Sequence, residues 1–138
     1  MRIAALLIFS FAMLLTSCKK ENLALELRQK TERLLHGKWT VDKKLQQQYE
    51  PISDLKHSEE LSGGPLDFYD FKPSNSVVIS DGAGQQESHF EVINPTQLLI
   101  GKDTWFIEGL TSNKVTLYRD RNDVDHNKRY VTRILLKR

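Results

Sequence analysis

The sequence predicts an all-β protein: an eight-stranded antiparallel up-and-down barrel preceded by one N-terminal helix. From residue 38 onward, apolar and polar residues largely alternate, which is the period of strands with one buried face. No helical segment separates consecutive strands after residue 65, and parallel strands would need such crossovers. The sequence contains no second layer to cover an open sheet of this width, so we expect the strands to close into a barrel.

The N-terminus combines one basic residue, an apolar run and a single cysteine. An uncharged apolar run over residues 3–15 follows Arg2 and is shorter than the ~20 residues that span a bilayer. Leu15-Thr16-Ser17-Cys18 then resembles a lipobox, which implies cleavage before Cys18 and attachment of lipid to that cysteine. An ordinary cleaved signal and an uncleaved anchor are the alternatives.

This reading divides the chain into a signal peptide over residues 1–17, a lipid-anchored linker over residues 18–22 and one domain over residues 23–138. Cys18 is the only cysteine, so the domain has no internal disulfide, and acylation explains this thiol better than nucleophilic catalysis does. We expect a protein held in the cell envelope at the outer membrane, on its periplasmic or its surface face.

A helix is expected from Leu23 to His36, with Asn22 as its N-cap and Gly37 just past its end. Its apolar residues recur at steps of one, three and four, and charged residues of both signs occupy the other face. Packing on the domain is favoured over a position on the membrane surface, because the polar face is not rich in lysine and arginine.

Short turns containing glycine, proline, asparagine and aspartate separate the strands. The predicted strands cover residues 38–44, 66–71, 76–80, 87–93, 97–100, 104–108, 114–119 and 129–136. Residues 120–127 are expected to form a polar loop. The longest connection covers residues 45–65, where Ser53 is placed to cap a short helix, and we expect this connection to act as a lid.

These features together resemble the lipocalin-like domains of Gram-negative envelope lipoproteins. The resemblance covers residues 34–138, and its most specific part is Gly37-Lys38-Trp39 at the start of the first strand. It implies that Trp39 closes the floor of the barrel and that a basic residue near the end of the chain, Arg133 or Arg138, packs across its indole.

Large apolar side chains on the predicted strands are candidates to line the barrel interior. They are Phe68, Phe71, Phe90, Trp105, Ile107, Leu117 and Tyr130. An apolar lumen of this kind binds a hydrophobic ligand, whereas small barrels are also packed shut by their own side chains. The sequence is compatible with both a ligand-binding lumen and a barrel filled by its own side chains.

Charge and motif content argue against several classes of function. The formal net charge of +2 falls to +1 without Arg2 and indicates no nucleic-acid partner. The four histidines lack the spacing of metal ligands, and the run from Asp123 to Asn127 departs from a calcium loop because Lys128 replaces the required glycine. No catalytic signature is present in the sequence, so we expect no enzyme, no cofactor and no metal.

Two non-enzymatic functions follow from these observations. In the first, the barrel holds a small apolar or amphipathic ligand. In the second, the barrel is solid and the protein is an accessory subunit that docks on a protein partner in the envelope. In both, acylated Cys18 links the protein to the membrane.

Overall fold

The computed structural model describes the backbone of residues 2–138 and the side chains of residues 19–138. One helix, α1, is followed by nine strands. The helix covers Arg2–Leu35, and the strands are β1 (Gly37–Tyr49), β2 (Leu55–Ser62), β3 (Asp67–Phe71), β4 (Ser76–Asp81), β5 (Gln85–Asn94), β6 (Gln97–Ile100), β7 (Asp103–Glu108), β8 (Lys114–Asp123) and β9 (Lys128–Lys137).

Eight of these strands close an antiparallel barrel. Strands β3 to β8 each pair with the next strand along the chain, and β1 pairs with β3 on one edge and with β9 on the other. Thr40 marks the closure, because it lies opposite Phe68 of β3 and Lys137 of β9. The predicted fold class, an eight-stranded antiparallel barrel with one N-terminal helix, is confirmed.

One side of the barrel is taller than the rest. Residues 37–40 of β1 pair with β3, whereas residues 43–49 pair with β2 along the same edge, and a bulge at Asp42 separates the two segments. Strands β2, β1, β9 and β8 therefore continue past the barrel rim as a four-stranded sheet. We call this extension the tall wall: residues 43–49, 55–62, 118–123 and 128–135.

The prediction of a lid with a short helix over residues 45–65 is wrong, because most of this segment belongs to the tall wall. Residues 45–49 continue β1, residues 50–54 form a turn, and β2 pairs back on β1. All eight residues of β2 are exposed, so the strand lacks the alternation of buried and exposed side chains by which strands are recognised in a sequence. The predicted loop over residues 120–127 is similarly reduced to a turn between β8 and β9.

The helix also differs from the prediction. It extends through Asn22, which is therefore not an N-cap, and it packs on the barrel with its C-terminal turns. Thr31 and Leu35 are buried, whereas Leu23 and Leu27 are 57% and 44% exposed, so the domain covers only the end of the predicted apolar stripe. Within the described part of the chain, no helix has both the length and the apolar character needed to cross a membrane.

The core lies inside the closed part of the barrel and against the end of α1. Among the described side chains it consists of Leu35, Trp39, Tyr69, Phe71, Val77, Phe90, Val92, Leu98, Ile100, Trp105, Ile107, Val115, Leu117, Ile134 and Leu136. Phe71 and Phe90 meet edge to face, with ring centroids 5.1 Å apart. Such close packing fills the middle of the barrel with side chains.

Candidate ligand-binding site at the barrel mouth

The end of the barrel beside α1 is closed by Trp39. This side chain is fully buried, and its Nε1 donates a hydrogen bond to the carbonyl oxygen of Leu35, the last residue of the helix, at 2.7 Å. Gly37 turns the chain from helix to strand with a φ of 106°, a left-handed conformation that favours glycine. The indole is thus anchored to the helix end by a hydrogen bond and to the core by packing.

Arg138 covers the ring of Trp39. Its guanidinium carbon is 3.9 Å from the centroid of the Trp39 ring, and its Nη2 donates to the carbonyl oxygens of Leu34, Leu35 and His36. Carbonyls at a helix C-terminus lack intrahelical donors, so a cation there is favourable. Arg133 does not make this contact; it lies over the ring of Tyr118 on the outside of the barrel, 4.7 Å from its centroid.

Five of the seven predicted lumen residues lie in the sealed core. Phe71, Phe90, Trp105, Ile107 and Leu117 are each at most 7% exposed. They occupy the interior, as alternation along their strands indicates, but they pack against one another.

Phe68 and Tyr130 lie outside the core, and the assignment of Phe68 to the lumen is wrong. On β3 it is Tyr69 and Phe71 that point inward, which leaves Phe68 on the outer surface beneath the Lys38 ammonium, 4.0 Å away. Tyr130 lies on the tall wall beside the guanidinium of Arg121, beyond the closed part of the barrel.

The opposite end of the barrel contains a pocket of about 280 Å³. Its apolar lining comes from Val41, Leu61, Ile79 and Ile134, and its polar lining includes Lys44, Asp67, Tyr69 and Asp81. Ligand pockets in proteins begin at about 300 Å³ and combine an apolar lining with a few polar groups. We call this the mouth pocket.

The bulge at Asp42 shapes one side of the mouth pocket. It lies where β1 changes partner from β3 to β2, and the connection between those two strands passes beside it. Gly63 donates its N–H to the carbonyl oxygen of Asp42 at 2.9 Å, and a Cβ at Gly63 would lie 1.7 Å from the carbonyl oxygen of Val41. Only glycine permits this close approach of the two backbones.

Carboxylates fix the turns on the same rim. Asp67 accepts a hydrogen bond from the backbone N–H of Gly64 at 2.8 Å, and Asp81 accepts from those of Ala83 and Gly84 at 3.1 and 3.2 Å. These two side chains are therefore engaged in local structure, although both also border the mouth pocket.

Lys44 and Tyr69 supply the remaining polar groups. Lys43 points to the outer face and pairs with Glu60 at 2.8 Å, whereas the neighbouring Lys44 lines the mouth pocket and forms no ion pair with any described residue. Burial raises the pKa of Tyr69 to about 12, so its hydroxyl is protonated at neutral pH and can donate a hydrogen bond. The pocket thus presents a cation and a neutral donor above an apolar floor.

A second polar cluster lies on the outer face of the tall wall. Arg129 donates from Nε and Nη2 to the two carboxylate oxygens of Asp120 at 3.0 and 2.6 Å, and the Tyr118 hydroxyl donates to the same carboxylate at 2.9 Å. The hydrogen bond from Arg129 is the main cause of a lowered pKa at Asp120. Because these partners satisfy one another, the cluster holds β8 to β9 and offers no open reactive group.

The histidines and acidic residues form no metal centre in the described part of the chain. His126 contacts Asp123 at 3.0 Å within the turn that follows β8, which is the segment compared above with a calcium loop. Cys18, the predicted site of lipid attachment, lies outside the residues whose side chains are described.

Comparisons with protein-family models and with curated proteins found no match to this sequence. The functional interpretation therefore depends on the sequence and on the geometry of the barrel. The sequence predicted candidate ligand contacts among the central aromatic residues, and that assignment stays a prediction. The mouth pocket could not be found from the sequence, since Val41, Leu61 and Ile79 come together only through the bulge and the strand register.

Proposed function

We propose that this protein is a non-enzymatic envelope lipoprotein, anchored in the outer membrane through acylated Cys18, whose lipocalin-like barrel binds a small amphipathic ligand at the mouth pocket. The observation that supports the binding function is the placement of Lys44 and the Tyr69 hydroxyl beside the apolar side chains of Val41, Ile79 and Ile134. An apolar segment of a ligand fits the floor, and a polar or anionic group fits the rim.

The size of the pocket limits the ligand. A volume of about 280 Å³ at the mouth accommodates a short apolar segment, and the sealed core below it prevents deeper insertion. The ligand is therefore expected to leave its polar end exposed to solvent along the tall wall.

Binding is tested with the chain from Lys19 onward, which contains every strand of the barrel, and with the anionic dye 1-anilinonaphthalene-8-sulfonate. We expect saturable dye fluorescence, and we expect Lys44→Met to weaken binding about tenfold, since a charge-assisted contact is lost. Lys43→Met is the matched control, because Lys43 precedes Lys44 but faces outward. Equal effects of the two substitutions, or no saturable binding, would contradict the proposal.

Anchoring is tested separately. Growth of the bacterium with an alkyne-labelled palmitate should label the full chain, and Cys18→Ser should abolish both the label and the association with the membrane fraction. Retention of the label by the Cys18→Ser variant would contradict lipid attachment at this residue.

The sealed core favours a second candidate, a non-enzymatic accessory subunit of an envelope complex. Crosslinking in intact cells distinguishes the two functions, because an accessory subunit should be recovered with a specific protein partner. Recovery of a specific partner by crosslinking, together with no saturable dye binding by the purified chain, would favour this second function.

A further inference from the structure

The inner face of the tall wall holds a second cavity next to the mouth pocket. By the inner face we mean the side of the sheet on which Lys44, Leu61 and Ile134 line the mouth pocket. The second cavity has a volume of about 210 Å³, and residues of β1, β2 and β9 line it. We call it the wall pocket.

Strand register makes the wall pocket continuous with the mouth pocket. Lys44 lies opposite Leu61 of β2 and Ile134 of β9, and these three residues form a row at the barrel rim. The next two rows along the same face line the wall pocket: Glu59, Gln46 and Thr132, then His57, Gln48 and Tyr130. Successive rows are about 7 Å apart, because every second residue of a strand shares a face. A ligand held by Lys44 therefore has the wall pocket as the next surface within reach.

The wall pocket contains hydrogen-bonding groups that the described structure leaves unused. The side chains of Gln46, Gln48 and Thr132 are partly buried, and none of them forms a hydrogen bond with another described residue. An amide side chain offers two N–H donors and a carbonyl acceptor, and a hydroxyl both donates and accepts. A ligand that carries several hydroxyl groups can satisfy donors and acceptors alike.

Charges around the wall pocket favour a neutral group over an ion. Glu59 lies 4.0 Å from His57 and remains about half exposed, so its carboxylate would repel an anion. A cation would be repelled by Lys44 and by Arg121, whose guanidinium lies 5.3 Å from the centroid of the Tyr130 ring. The polar lining also differs from the apolar centre of a protein interface. A neutral group rich in hydroxyls is the best match.

From these observations we propose that the wall pocket binds the polyol head group of an amphiphile whose apolar segment occupies the mouth pocket. An anionic linkage such as a phosphate ester then lies between the two parts, at Lys44. Gln46, Gln48 and Thr132 hold the hydroxyls of the head group. This assignment rests on the proposed binding at the mouth pocket, and it adds the chemical class of the head group.

Two lysolipids of equal acyl length and equal charge test the wall pocket. Lysophosphatidylinositol carries a polyol ring on its phosphate, whereas lysophosphatidylethanol carries an ethyl group without hydroxyls. The full chain, purified in detergent, is mixed with equal concentrations of both lipids, and native mass spectrometry measures the ratio of the two complexes. We expect about ten times more of the inositol complex, because hydrogen bonds to the head group are gained.

The outcomes separate the head-group assignment from the proposed function. Equal amounts of the two complexes would overturn the assignment and leave binding at the mouth pocket intact. Absence of both complexes would overturn the proposed function, and the assignment with it. Free inositol phosphate is the third probe. If it binds as strongly as lysophosphatidylinositol, the assignment is overturned, because the apolar segment then contributes nothing.

Substitutions at successive positions of β1 locate the effect. Gln46→Met and Gln48→Met keep the length of the side chain but remove the amide, so the double variant should lose the preference for the inositol lipid and still bind lysophosphatidylethanol. Gln48→Met alone, in the row farthest from the barrel, should lose part of it. Gln47→Met is the matched control: Gln47 borders the same cavity, but its side chain lies on the outer face, since successive residues of a strand alternate.

Gln47→Met should keep the full preference. Circular dichroism and the retained lysophosphatidylethanol complex verify that each variant is folded. An unchanged preference in the double variant, or an equal loss in Gln47→Met, would overturn the assignment.

Discussion

The two ends of this barrel differ in how they are closed. At the helix end, Trp39 is fully buried, donates to the last residue of α1 and lies under the guanidinium of Arg138. At the mouth, the backbone diverges at the Asp42 bulge, and partly exposed side chains surround a pocket of about 280 Å³. The comparison indicates that one end of the barrel is closed by buried contacts, whereas the other end is left with an open pocket.

The same strand produces both ends. The first four residues of β1 pair with β3 within the closed barrel, and the residues after Asp42 pair with β2 on the tall wall. A single bulged strand thus allows the closed end to be rigid while the mouth is shaped independently of it.

The largest effect is expected from truncation at the closed end. Trp39→Ala should lower the free energy of unfolding by about 3–5 kcal/mol, because it leaves a cavity in a sealed core. Leu61→Ala at the mouth should cost less than about 1 kcal/mol, since Leu61 is 42% exposed. Urea unfolding measures both values, and equal costs would remove the distinction between the two ends.

Gly63→Ala tests the close approach that shapes the mouth. The new Cβ would lie 1.7 Å from the carbonyl oxygen of Val41, so the backbone must move, at a cost of about 2–3 kcal/mol. Gly84→Ala is the control, because a Cβ there meets no atom within 4 Å and its cost should stay near 0.5 kcal/mol or below. Thermal unfolding of the two variants checks this, and a stable Gly63→Ala variant would contradict it.

Replacing the arginine that covers Trp39 should have a smaller effect. Arg138→Met keeps the length of the side chain but removes the cation, and we expect a loss of about 1 kcal/mol in the free energy of unfolding. Arg133→Met removes a similar contact, but to Tyr118 on the outer surface. We therefore expect Arg133→Met to lower the free energy of unfolding by less than Arg138→Met does. Urea unfolding that ranks them in the opposite order would argue against closure by Arg138.

The smallest effect concerns pH and the outer face of the tall wall. Asp120 has a lowered pKa in the folded protein, so its ionised form stabilises the fold above its ordinary pKa of 3.8, and this contribution disappears as the pH falls through the folded-state pKa. Asp120→Asn should therefore be less stable than the unmodified protein at neutral pH, and the difference should shrink below pH 3.8. Asp125→Asn, in the exposed turn after β8, is the control. A difference that grows with acidification would contradict the assignment.

The closed barrel could be predicted from the sequence because its strands alternate visibly. In β7, Trp105 and Ile107 are buried, while Thr104 and Phe106 between and beside them are exposed. Each such strand has one face in the core, and that burial imposes the period of two on the sequence.

The predictions from the sequence were wrong where burial does not impose this alternation on a strand. β2 is exposed on both faces, so its pairing depends on backbone hydrogen bonds to β1 and leaves no apolar pattern. In Phe68-Tyr69-Asp70-Phe71, aromatic residues fall on both faces, and the pairing of Tyr69 with Trp39 decides which face is inward. The choice between Arg133 and Arg138 likewise required the position of the helix end relative to Trp39.

A methyl nuclear magnetic resonance titration tests most directly whether the ligand site is the mouth pocket and not the central lumen. A short-chain lysolipid, added below its critical micelle concentration, should shift the methyl signals of Val41, Leu61, Ile79 and Ile134, which line the mouth. The signals of Val92, Leu98 and Val115 in the sealed core should stay unchanged. Shifts confined to the core methyls, with none at the mouth, would contradict the proposed site.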